Sequence, residues 1–246
     1  MSLKNSIILC TYNEANHIEK TISELEKNIP NLELVIVDDF STDGTVDIIK
    51  KLNQDNKYKT VFRKRSRSLA SAFVRGVVET SGDNIGWIDT NMGELASKFP
   101  AMIKELNLDN DIIILSRYIE GGGDNRILLR ALTSKYFNLL CKIILRTPIK
   151  DFTSSIFLMK RKVLDEVTFL GYGHGEFFLE FIYNVYQKGF KIKEIPYVQK
   201  KDVDLSDSKS SPNIIKFFYL GSLYVLRIFA TLLRRKNYLN DRKNNL

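Results

Sequence analysis

Short apolar runs alternate with helix-like stretches over the first half of the chain. Ser6–Cys10, Leu32–Val37, Tyr58–Phe62, Asn84–Ile88 and Asp111–Leu115 are brief runs rich in Ile, Val and Leu. That length and composition predict buried strands. Between them, Glu14–Asn28, Asp43–Leu52, Leu69–Thr80 and Phe99–Leu106 repeat their apolar residues at helical spacing. The alternation predicts an α/β fold, a mostly parallel sheet flanked by helices. In such sheets ligands sit beyond the carboxyl ends of the strands. Four polar groups fall at those ends: Thr11-Tyr12-Asn13-Glu14, Asp38-Asp39, Asp89-Thr90-Asn91 and Ser116-Arg117.

The pattern changes beyond Glu120. Gly121-Gly122-Gly123 reads as a flexible loop and Arg126–Leu145 as a long helix. Ser155–Lys160 is strand-like, Glu176–Lys188 helical and Lys191–Val198 strand-like again. The polar run QKKDVDLSDSKSSP reads as a loop, and Ile214–Arg235 as a last helix that is apolar nearly all round, with cationic flanks. An interfacial helix fits that pattern; a core or oligomer helix is the alternative. Residues 1–212 are thus expected to form a catalytic domain, and 213–246 an interfacial helix with a basic tail.

Composition narrows the field. The 246 residues are 44% apolar and 27% charged, ordinary for one globular core. A net charge of +8 favours anionic partners: phosphorylated molecules, anionic membranes or nucleic acid. Interleaved aromatics and a recognisable binding module are missing for the last, so no nucleic acid is expected. Cys10 and Cys141 lie in apolar stretches without metal spacing, which predicts reduced core thiols and a cytoplasmic location. The opening MSLKNSIILCTYNE is too short an apolar run for a signal peptide. No stretch reaches the ~18 apolar residues of a membrane span.

Taken residue by residue, the strand ends remain ambiguous. Asp43 and Thr42 suit a helix cap. Asp38 and Asp39 suit hydrogen bonding to a base or ribose. Asp89, Asn91 and Glu94 suit either a metal site or a polar turn. Arg63, Lys64, Arg65 and Arg67 offer donors to a phosphate or form a solvated basic edge. His174, in a Gly-rich turn, is given no role.

Together the motifs resemble the family 2 glycosyltransferases of GT-A fold. Their usual order is P-T-Y-N-E, then V-D-D-G-S-T-D-G-T, then G-D and D-x-D. Here CTYNE carries Cys10 for Pro, VDDFSTDGT carries Phe40 for Gly, Gly82-Asp83 matches G-D, and Asp89-Thr90-Asn91 occupies the D-x-D place. Ser68 stands where a glycine is usual. SRYIEGGGDNRILLRALTS, DFTSSIFLMKRKVL with Ser155 for Gly, and EFFLEFIYNVYQKGFKIKEIPY resemble segments of polyprenyl-phosphate mannosyltransferases. The likeness runs over roughly residues 5–215.

The resemblance implies hexose transfer, mannose or similar, from a nucleotide-sugar to a dolichyl or undecaprenyl phosphate, with inversion. GDP-mannose is the leading donor and UDP remains open. It implies nucleotide-sugar contacts from Thr11, Tyr12, Glu14, Asp38, Asp39, Arg65, Asp89 and Glu180. It implies Mg²⁺ or Mn²⁺ at Asp89 and Asn91, weakened where Asn91 replaces a carboxylate. It implies an acceptor-phosphate grip from Arg117, Arg130, Ser134, Lys200, Lys201 and Lys209, with Asp89, Arg117, Arg130 and Ser134 as the catalytic set. Peripheral contact with the cytoplasmic membrane face would come from the C-terminal helix. A glycan or cell-surface acceptor is one alternative, and a catalytically weakened nucleotide-binding homologue is another.

A phosphate acceptor also suits the chemistry. A sugar hydroxyl needs a general base. A phosphate monoester is largely dianionic at neutral pH, with a second pKa of about 6, and needs only aiming.

Overall fold

The computed structural model describes residues 3–65, 67–154, 156–173, 175–201, 219 and 221–234. Ser155, His174, Lys209, most of the polar loop, and the basic tail from Arg235 lie outside the described residues.

Among the described residues, nine strands and the helices between them follow the expected alternation. In chain order these are β1 (Asn5–Thr11), α1 (Ile18–Asn28), β2 (Leu32–Asp38), α2 (Thr45–Leu52), β3 (Lys59–Phe62), α3 (Leu69–Glu79) and β4 (Asn84–Trp87). A 3₁₀ segment (Thr90–Lys98), α4 (Phe99–Asn107), β5 (Ile112–Ser116), β6 (Gly123–Asp124) and α5 (Leu128–Leu145) come next. Then come β7 (Phe157–Lys160), α6 (Val163–Glu166), α7 (Glu176–Gln187), β8 (Ile192–Pro196) and β9 (Val198–Gln199). Residues 221–234 form a further helix, α8.

Seven strands make one sheet in the order β3-β2-β1-β4-β7-β5-β8. All neighbours are parallel except β7, which runs antiparallel between β4 and β5. The mostly parallel sheet is as expected. The reversal at β7 is not visible in the sequence, because Phe157–Lys160 has the same apolar content either way. β6 and β9 pair as a small separate ribbon.

Strand side chains alternate between two cores, one on each face. Ile8, Val35, Val37 and Trp87 enter one; Ile7, Leu9, Leu34 and Ile36 enter the other. Both faces are covered, so the strands read as continuous apolar runs. The first core is strongly aromatic. Phe73 stacks on Trp87 at 5.2 Å between centroids, and Phe157 stacks on Phe178 at 5.3 Å. Cys141 is buried and Cys10 half-buried, both as free thiols, and burial raises both above the ordinary thiol range.

α8 packs into the first core through Ile228, which is fully buried, and Leu232. Its Tyr224 ring meets Phe137 of α5 edge-on at 5.4 Å. Among the described residues no helix is long and apolar enough to cross a membrane.

The chain leaves β4, turns at Asp89, and enters the 3₁₀ segment, which lies directly against α1. Thr21 Oγ1 donates to Thr90 O at 2.5 Å. Gly93 makes the approach possible: a Cβ there would sit 2.8 Å from Thr21 Cα, a contact with backbone that cannot give. Gly93→Ala is therefore expected to destabilise the fold by about 1–3 kcal/mol, read by urea denaturation. A change below about 0.5 kcal/mol, the range of ordinary surface substitutions, would contradict this packing.

Candidate functional site

Three parallel strands, β2, β1 and β4, deliver their carboxyl ends side by side. Asp38 ends β2 and is fully buried. Its carboxylate accepts from Thr11 Oγ1 at 2.8 Å, Ser41 N at 2.9 Å and Ser41 Oγ at 2.5 Å. Thr11 and Asp38, for which the resemblance implies nucleotide contact, are buried and bonded to each other at the base of the turn.

Asp39 is buried too, but its carboxylate faces the end of β3 and the start of α3. Arg63 clamps it through two bonds, Nε to Oδ1 at 2.5 Å and Nη2 to Oδ2 at 2.7 Å. Ser68 N adds a third at 3.2 Å. Arg63 also reaches Ser71 Oγ and Ser68 O, so it ties the end of β3 to the start of α3. Arg65, the expected basic contact, is exposed. Arg67 instead lies over the Tyr12 ring at 4.5 Å and donates to its hydroxyl at 2.7 Å. Arg63 and Arg67 are thus the basic residues built into this edge. The RKRSR run contains both, but nothing in it ranks them above Arg65.

Glu14 is half-buried at the entrance to α1, where its carboxylate meets His17 Nδ1 at 3.1 Å. The residue at the N-cap of α2 is Gly44, with no side-chain cap, rather than Thr42 or Asp43; Asp43 supports the helix start by accepting from Thr45 N and Thr45 Oγ1.

Asp89 is half-buried and Asn91 exposed at the head of the 3₁₀ segment. Glu94, the candidate second carboxylate, pairs with Lys200 at 3.0 Å. Among the described residues no three His, Cys, Asp or Glu gather to form a cation cage. This donor set suits Mg²⁺ only in company, because Mg²⁺ takes one or two carboxylates and fills its remaining positions with substrate phosphates and water. Asp89, with the Asn91 amide, can supply that protein share.

A second cluster sits beyond β5. Arg117 is buried and makes a fork to Asp151, Nε to Oδ2 at 2.9 Å and Nη2 to Oδ1 at 2.8 Å. Nη2 also reaches Thr153 Oγ1 at 2.5 Å. Nη1 points to Asp124 at the longer distance of 3.7 Å. Burial alone would raise the Asp151 carboxyl, but the Arg117 guanidinium more than offsets it and holds the group below the ordinary range. Arg126, a residue the motif reading passed over, forks onto Asp124 and donates to Ser134 Oγ at 2.9 Å. Asp124 is likewise pushed up by burial and brought down further by Arg126.

Arg130 and Ser134 share a face of α5, as their spacing requires. Arg130 is buried. One turn on, Asn138 accepts from Phe152 N at 2.6 Å and donates to Thr153 Oγ1. The inner face of α5 therefore carries three polar residues, Arg130, Ser134 and Asn138, beside Phe137, Cys141, Ile144 and Leu145, which join the core. The opposite face is apolar and exposed: Leu128 is 71%, Tyr136 64% and Ile143 63% accessible, with Leu132 and Leu139 between them. Every charged residue in Leu128–Leu145 is basic.

Glu180, for which the resemblance implies a sugar contact, is buried in α7 and held by α8, with Arg234 at 2.6 Å and Arg227 at 3.2 Å. Lys201 is exposed, and Lys200 is committed to Glu94.

The model of glycosyl transferase family 2 matches residues 6–168. The dolichol-phosphate mannosyltransferase of Pyrococcus furiosus is 32% identical over 170 residues, which is 67% of this chain and 48% of that protein. The dolichol-phosphate mannosyltransferase of Mycosarcoma maydis is 29% identical over 97 residues, 39% of this chain and 33% of that one. The chain thus spans about half the length of the first relative and a third of the second. Glucosyl-3-phosphoglycerate synthase from Mycobacterium tuberculosis, crystallised with Mn²⁺, UDP and glucosyl-3-phosphoglycerate, superimposes with a TM-score of 0.70. It is 15% identical and covers 94% of this chain and 80% of its own. That likeness shows the fold, and the expected GT-A architecture is met.

The Arg117–Asp151 fork yields a test. Removing one partner of a buried pair strands the other charge, so Asp151→Asn is expected to cost about 3–5 kcal/mol near pH 7. The folded Asp151 carboxyl titrates below its unfolded value of about 3.9. The stabilisation is therefore complete above that pH and is lost as pH falls through the folded value. Urea denaturation of both proteins at pH 7 and pH 3 should show the gap shrinking in acid; a gap independent of pH would contradict the pairing.

Proposed function

Because the chain belongs to glycosyl transferase family 2, we propose that it moves a hexose from a nucleotide-sugar onto a polyprenyl phosphate, inverting the anomeric carbon. One observation carries the acceptor assignment: α5 sets Arg130, Ser134 and Asn138 on its inner side and leaves Leu128, Leu132, Tyr136, Leu139 and Ile143 exposed. A surface helix of a water-borne domain keeps most such apolar residues on its covered face. A lipid phosphate needs both faces, cations for the headgroup and an apolar surface beside them for the chain. The relatives named dolichol-phosphate mannosyltransferase support the same reading.

The donor would lie across the ends of β1, β2 and β4. Asp39, fixed by Arg63, reads the base or ribose, and Tyr12 with Arg67 closes the rim. Asp89 and Asn91 would hold a divalent cation jointly with the donor diphosphate, where it would neutralise charge on the leaving group. GDP-mannose is the leading donor.

The acceptor phosphate is aimed by Arg130, Ser134 and the Nη1 edge of Arg117 that Asp151 leaves unused. One of its oxygens forms the new bond to the anomeric carbon as the bond to the diphosphate breaks, and the nucleoside diphosphate departs with that electron pair. No proton needs removal, since the acceptor is already largely dianionic. Catalysis then rests on proximity and on stabilising charge at the leaving group.

α5 and α8, joined through Phe137 and Tyr224, would lie on the cytoplasmic face of a membrane. Phe229 and Leu233 extend the exposed apolar surface on α8. Such a surface with only basic charges binds through buried apolar area plus attraction to anionic lipid.

The double variant Leu132→Glu/Leu139→Glu tests this. Both side chains are already in water, so the melting temperature should hold. Co-sedimentation with phosphatidylglycerol vesicles should fall by about tenfold or more. Transfer to a long-chain polyprenyl phosphate should fall with it, while transfer to a short, water-soluble isoprenyl phosphate persists. Unchanged sedimentation and unchanged long-chain transfer would contradict the lipid reading.

A further inference from the structure

Phe40 follows Asp39 at the carboxyl end of β2. Its φ is +62°, in the left-handed region. Bulky side chains avoid that region because Cβ crowds the neighbouring carbonyl, and glycine enters it freely. Asp38 imposes the conformation. Its carboxylate takes both the amide and the hydroxyl of Ser41, which closes a tight turn over residues 38–41. Asn13 locks the far side, since its amide donates to Ser41 Oγ and its Oδ1 accepts from Thr42 N.

Phe40 is also 48% exposed. A buried phenylalanine in a strained turn would recover the strain by packing; half its surface in water recovers little. The residue therefore costs the fold more than a glycine would, and its return has to come from elsewhere. Strained residues of this kind gather at ligand sites. Its neighbours set the ligand class. Asp39 precedes it in the chain, with its carboxylate fixed by Arg63 and Ser68 N. Tyr12 stands on the adjoining strand end with Arg67 across its ring.

We infer that Phe40 is a specificity-determining residue of the donor site, an aromatic platform on which the nucleobase of the donor stacks while Asp39 meets its polar edge. This rests on the donor placement proposed above. The rigid turn has the virtue of holding the ring in place before the ligand arrives, which lowers the ordering cost of binding.

Calorimetric titration with UDP, GDP and inorganic pyrophosphate, each with Mg²⁺, tests the inference on the full chain. Phe40→Gly removes the ring and suits the backbone, so its melting temperature should equal or exceed that of the wild type. It should bind the preferred nucleoside diphosphate about tenfold more weakly, the usual worth of a base on an aromatic ring. Pyrophosphate affinity should not move, since the platform touches only the base. Phe40→Leu keeps apolar bulk without a π face and should show the same loss, while Phe40→Tyr should retain binding. Wild-type affinity in Phe40→Gly or Phe40→Leu would overturn the platform and leave the donor site standing. A wild-type chain that binds neither nucleotide would overturn the donor placement and the platform together.

Discussion

The Asp38 carboxylate governs the edge of this protein proposed to hold the donor. It is wholly out of water at the end of a central strand, and it accepts from the β1 residue Thr11 and twice from Ser41. A polar group so deeply buried is tolerable only when it is hydrogen-bonded, as this one is three times. Those bonds bind the ends of β1 and β2 together and fold the next residues into a tight turn. Asp39 is thereby presented to Arg63, and Phe40 is forced into its left-handed conformation. The outward chemistry of this edge is thus positioned by a carboxylate that faces inward.

The proposed acceptor edge is built on a different principle. α5 carries Arg130, Ser134 and Asn138 on its inner side, above Cys141 and Leu145 in the core, and leaves Leu128, Leu132 and Leu139 exposed. Ser134 joins Asp124 through Arg126, and Asn138 meets Thr153, which Arg117 also reaches. The outer residues gain nothing from the fold. α8 meets α5 through Tyr224 and Phe137, and its two arginines close on Glu180 of α7, which ties α8 to the core. Lys200 and Glu94 bring the segment after β9 back toward the residues following Asp89. Donor and acceptor edges are therefore held in one frame.

Much of the fold was legible because the strands of a doubly covered sheet are apolar on both faces and the helices between them are not. What escaped were features that leave no mark in apolar periodicity. β7 has the composition of its parallel neighbours, and only its connections reverse it. The 3₁₀ segment has too few apolar residues to announce itself, although Gly93 permits its contact with α1. The site was legible to the level of position and less so to the level of role. Thr11 and Asp38 stood in the right place but bond to each other. Glu180 sat on a recognisable acidic helix, but its partners lie more than forty residues further along the chain. Arg126 and Arg63 acquire importance only from what the fold brings beside them, Ser134 for one and Asp39 for the other.

The central claim is that the nucleophile is a lipid-borne phosphate rather than a hydroxyl. The most direct measurement offers the chain radiolabelled GDP-mannose, or a UDP-hexose, with Mg²⁺ in detergent, against three acceptors in parallel. These are a polyprenyl phosphate, the same polyprenol without its phosphate, and a soluble oligosaccharide. The account predicts label in the lipid phase with the polyprenyl phosphate alone, at a rate that does not rise with pH once the phosphate is dianionic. Label on the polyprenol or the oligosaccharide, with none on the polyprenyl phosphate, would contradict it.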